Sequence, residues 1–122
     1  SVGPRVGSLL KAVGLPSRIK IIGCMDEPVH RGNLVSMLMS LRNDALLVCV
    51  DTALSNNFPA INIRTGPMHP GVAVSDELPK LGDVSVLCRV AETIEDLYLC
   101  GENYINSIAE EAAAVLTTLL ST

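Results

Sequence analysis

The chain has almost no aromatic residues: no tryptophan, two tyrosines and one phenylalanine. That removes the stacking platforms on which single-stranded nucleic acids rest. Basic clusters are missing too. The formal charge is −4 with no long run of one sign, and phosphate neutralisation needs a basic patch. No nucleic-acid partner is expected. No stretch reaches eighteen uninterrupted apolar residues, so no membrane span is expected. No basic leader precedes an apolar block, so no secretion signal is read. The four cysteines, Cys24, Cys49, Cys88 and Cys100, are irregularly spaced and form no C-x-x-C. A four-thiolate zinc site normally needs such a close pair, and free, buried thiols in a reducing compartment are the simpler reading. A G-x-S-x-G elbow is absent, and so is the glycine-rich phosphate loop.

What the chain does have is apolar residue, 48% against 18% charged, enough for the core of one compact domain over residues 1–122. Residues 2–13 read as a helix: Pro4 suits a first turn, Val6, Leu9, Leu10 and Val13 recur at helical spacing, and Gly14 stops it. Residues 18–24, "RIKIIGC", read as a strand followed by the polar loop "MDEPVHRGN". A second helix is predicted over 33–42, with Gly32 or Asn33 at its start. "ALLVCV", 45–50, has no alternation, the pattern of a strand covered on both faces. Further strands are predicted at 60–65 and 84–91, a helical turn or short helix at 92–100, and a final helix over 102–120. The apolar face of that helix is Ile105, Ile108, Ala109, Ala112, Leu116 and Leu119. The order implies an α/β fold, most simply a sheet with helices on both faces. Such folds usually start with a strand, whereas this chain opens on a helix.

Ligands of open α/β sheets bind beyond the carboxyl ends of strands. Asp51 is expected at such an end, directly after "ALLVCV". It has two readings: a member of a site, or a carboxylate capping the turn "DTAL". Asp26, Glu27 and His30 follow the strand at 18–24, and His69 follows the one at 60–65. These could line the same site if the strands run parallel; otherwise they are solvated loop residues. The histidines lack H-x-x-x-H or H-x-H spacing, so no metal set is read. Asp83, after Gly82, reads as turn chemistry.

"DEPVHRGNL", "VDTALSN" and "INIRTGPMHPGVAVSDELPKLGDVSV" follow the order and spacing of the YyaC group of sporulation proteins, relatives of the spore germination protease. The opening "SVGPRVG" resembles the start of the first helix in both groups, and "HPG" with His69 is closer to the protease. The resemblance covers nearly the whole chain. It implies a three-layer α/β/α sandwich with a mainly parallel or mixed sheet, similar to the hydrogenase-maturation proteases. It also implies a cytoplasmic place in the developing spore or mother cell of an endospore-forming bacterium. The implied function is a peptidase-like hydrolase acting on a spore protein through paired acids, of which the second matches Asp51. Two carboxylates held close cannot both ionise easily, so one acts as base and the other as acid.

The family's first acid and its strand would precede Ser1, so the chain is expected to lack that strand. A misassigned start, trimming, processing or loss of the catalytic half would each account for it. The alternative function is a non-catalytic, partner-binding module with a degenerate protease fold. No cofactor is expected, and the metal content stays open. With the first strand lacking, "ALLVCV" would have an unpaired edge, so a homo-oligomer is expected.

Overall fold

The computed structural model describes residues 2–30, 32–41, 45–57, 59–67 and 82–121. Helix α1 runs Val2–Val13, α2 Leu34–Met39, strand β1 Val48–Leu54, β2 Ala60–Thr65, β3 Val84–Ala91, α3 Ile94–Leu99 and α4 Glu102–Leu120. The fold is α/β with a mixed sheet in the order β1-β3-β2: β1 is parallel to β3, and β2 is antiparallel to it.

Each long helix buries one stripe. On α1 the stripe is Val2, Val6 and Leu10, residues four apart, and the helix ends at Gly14, whose φ of 79° suits a residue without a Cβ. On α4 it is Ile105, Ile108, Ala109, Ala112, Ala113 and Leu116, while Glu110 and Glu111 face water. The two helices pack on each other and against one face of the sheet, where Val86, Cys88 and Val90 complete the core with Val48, Val50 and Ile61 at its margin. Burying each valine stabilises the fold by roughly 1.5–3 kcal/mol. The Tyr104 hydroxyl donates to the Val90 carbonyl at 2.8 Å and ties α4 to β3. Arg5 joins α1 to α4 by donating to Asn106 Oδ1 at 2.5 Å and pairing with Glu102 at 2.8 Å. Short α3 starts at Thr93, whose hydroxyl accepts the Asp96 N–H.

Three expectations change. Residues 18–24 form no strand among the described residues. Ladder bonds need a neighbour, and this segment instead lies against α1: a Cβ on Gly7 would sit 1.8 Å from the Gly23 carbonyl oxygen. The second helix is shorter than 33–42 because the Ser40 hydroxyl and N–H both donate to the Met37 carbonyl and close the last turn. Strand β1 begins later than residue 45 and continues to Leu54, since Thr52, Ala53 and Leu54 pair with Cys88, Arg89 and Ala91. Helices α1 and α4 pack on one face of the sheet; α2 makes no extensive contact with another element. No described helix is long and apolar enough to cross a membrane.

Candidate functional site

Asp51 lies in the middle of β1, opposite Leu87, and not at a strand end as the sequence suggests. "DTAL" reads locally as a turn, but its backbone finds partners on β3 and stays extended. Side chains alternate along a strand, so Val48 and Val50 face the helices while Cys49, Asp51 and Ala53 face the other way. The register adds Ser85, Leu87 and Arg89 from β3, and Ala60, Asn62 and Arg64 from β2, to that second face.

The Asp51 carboxylate is half-buried and accepts the Thr52 N–H at 2.8 Å. Its charge acts on both neighbouring thiols. Burial first, then the charges of Asp83 and Asp51, pushes the Cys49 thiol up to about 11; burial and then Asp51 push Cys88 up to about 11. Both are therefore protonated at neutral pH and poor nucleophiles. All four cysteines are free, and three of them are buried.

Among the described residues, Asp83 is the next carboxylate on the Asp51 face. It sits just before β3, four residues from the Asp51 partner Leu87, or about 13 Å along the strand. Its Oδ2 accepts the Leu47 N–H at 2.8 Å, and its own N–H donates to the Leu47 carbonyl at 2.7 Å, a reciprocal clasp between the starts of β1 and β3. The turn reading of Asp83 thus becomes a cross-strand clasp.

Asp26 and Glu27 are exposed in the bend after Cys24. That bend is anchored to α1, where the Met25 N–H donates to Ser8 Oγ at 2.9 Å. It belongs to the helix side of the sheet, whereas Asp51 points to the opposite face. His30 is exposed and organises the start of α2: its carbonyl accepts the Asn33 and Leu34 N–H groups, and its Nδ1 accepts the Gly32 N–H. His69 lies outside the described residues. The chain that leads to it departs from Thr65 beside Val84, at the amino end of β3, because β2 is antiparallel. Among the described residues no group of three or more His, Cys, Asp or Glu is placed to hold a metal ion.

Sequence reasoning missed the polar groups that share the face with Asp51. Arg89 donates to Asn62 Oδ1 at 2.5 Å and to Ser55 Oγ at 2.8 Å. The alternation within "INIRT" hints at Asn62 and Arg64 sharing a face; only the register adds Arg89.

Residues 1–118 match a family model described as a protein of unknown function, DUF1256. The chain belongs to the DUF1256 family. It is 31% identical over 91 residues to the uncharacterized protein YyaC of Bacillus subtilis (strain 168), a match that covers 70% of this chain and 44% of that protein. The family is thus of the YyaC type, and this DUF1256 chain spans less than half the length of the curated relative it matches. No solved structure matches it.

Proposed function

We propose that this DUF1256 chain is a non-catalytic, partner-binding module that acts in spore development and descends from a peptidase of the germination-protease type. The resemblance noted in "DEPVH", "VDTAL" and the "GPMHPG" region supports the origin, and with it a fuller three-layer α/β/α sandwich with a further strand. One observation carries the loss of chemistry. Among the described residues, the next carboxylate on the Asp51 face of the sheet, Asp83, is about 13 Å away along the strand and accepts a backbone N–H. Two carboxylates that share a proton must be within hydrogen-bond reach of each other or of one water.

The test is incubation of the purified chain with a small acid-soluble spore protein, followed by mass spectrometry. The expected result is an intact spore protein with both the wild type and Asp51→Asn. Cleavage by the wild type that Asp51→Asn abolishes would replace this reading with the hydrolase, with Asp51 as a catalytic acid and Asp26, Glu27, His30 and His69 as candidates to line its site.

A further inference from the structure

The segment that follows α1 is held against that helix by contacts from one helix face, and one of them joins two reactive side chains. Gly7, Ser8 and Lys11 lie one turn apart on α1. The Gly7 backbone approaches the Gly23 carbonyl, Ser8 Oγ accepts the Met25 N–H at 2.9 Å, and the Lys11 ammonium donates to Cys24 Sγ at 3.6 Å. The function proposed above makes no use of this amine and thiol.

Cys24 is only 6% exposed, but Lys11 is exposed. An exposed amine that reaches the sulfur leaves the sulfur one layer below solvent. The bend that carries Cys24, where its N–H donates to the Glu27 carbonyl at 3.2 Å, is itself exposed from Met25 to Glu27. Hydrogen peroxide is little larger than water and needs no wider access. A thiol oxidised to a sulfenic acid condenses with a nucleophile beside it. Nζ and Sγ already touch, so that condensation needs no diffusional encounter. Cys100, the least buried of the four thiols, donates instead to the Asp96 carbonyl at 3.3 Å.

We propose that Lys11 and Cys24 form a modification site at which peroxide creates a covalent sulfur–nitrogen link, a sulfenamide, between α1 and the segment that follows it. In the first step Sγ attacks one peroxide oxygen. The S–O bond forms, the O–O bond breaks, and the second oxygen leaves as water with the thiol proton. Lys11, its ammonium proton passed to solvent, then attacks the sulfur. The S–N bond forms, the S–O bond breaks, and the departing hydroxide takes an amine proton. Sulfur gives up two electrons in all, and one peroxide becomes two waters. The product fixes the bend to the helix.

The experiment treats the folded chain with hydrogen peroxide, blocks the remaining thiols, digests with trypsin without reductant and maps the fragments by mass spectrometry. The expected product joins fragment 6–18 to fragment 21–31, uncut after Lys11 and lighter by two hydrogens than the two together, with or without a sulfoxide oxygen on Met25. The pair contains a single cysteine, so a disulfide within it cannot give this mass. Dithiothreitol is expected to separate the fragments. Lys11→Arg and Cys24→Ser are each expected to abolish the joined product, as is treatment of the wild type in urea, which removes the fold that holds the pair. Complete cleavage after Lys11 in the treated wild type, an equal yield of joined fragment in urea, or a joined fragment that survives Lys11→Arg would overturn the inference.

Discussion

At Cys88 the sheet core and a nearby carboxylate act on the same thiol. Burial disfavours the thiolate, and the charge of Asp51 disfavours it further, so the pKa rises from 9.0 to about 11; Cys49 follows the same pattern with Asp83 added. A group whose folded pKa exceeds its unfolded value stabilises the fold fully below the unfolded pKa and loses that contribution as pH climbs through the folded one. Thermal stability is therefore expected to hold up to about pH 9 and to fall between about 9 and 11. A Cys49→Ala/Cys88→Ala double variant should fall less steeply over that window in melts followed by circular dichroism. The buried character of both cysteines was legible in their apolar neighbours. Asp51 was legible as an oddity in an apolar run, but its mid-strand position was not. "DTAL" has the composition of a turn, and only pairing with β3 keeps it extended.

Among the elements, the periodic ones were legible to the residue: α1, α4, β2 and β3 match their expected bounds because each carries its own stripe, alternation or breaker. Segment 18–24 was misread for a physical reason. "RIKII" has strand-forming composition, but a strand also needs a ladder partner, and sequence does not reveal whether one is available. What holds this segment is a close backbone approach to α1, made where Gly7 has no side chain. Gly7→Ala places a methyl group 1.8 Å from the Gly23 carbonyl oxygen and must push the two apart. The expected loss is about 2 kcal/mol, as for other overpacked contacts. Urea denaturation reads it as a lower midpoint with an unchanged slope.

On the scale of the whole molecule, strand order and direction were out of reach of the sequence. The expectation that polar loops converge needed parallel strands, and β2 runs the other way. That reversal starts the chain toward His69 at the amino end of β3, and it also brings Asn62 within hydrogen-bond reach of Arg89. Among the described residues, the order β1-β3-β2 leaves β1 at an edge. "VCVDTAL" contains no lysine or proline, the residues that commonly guard an edge. The purified chain is accordingly expected to form a homodimer or larger assembly in sedimentation equilibrium; a monodisperse monomer would refute this.

The bond from Tyr104 to the Val90 carbonyl also gives the molecule an optical reporter. Without tryptophan, ultraviolet emission comes from the two tyrosines, and Tyr98 is 75% exposed and already bathed in water. Tyr98→Phe would leave Tyr104 as the single emitter, so its fluorescence would time the moment at which the last helix lifts from the central strand.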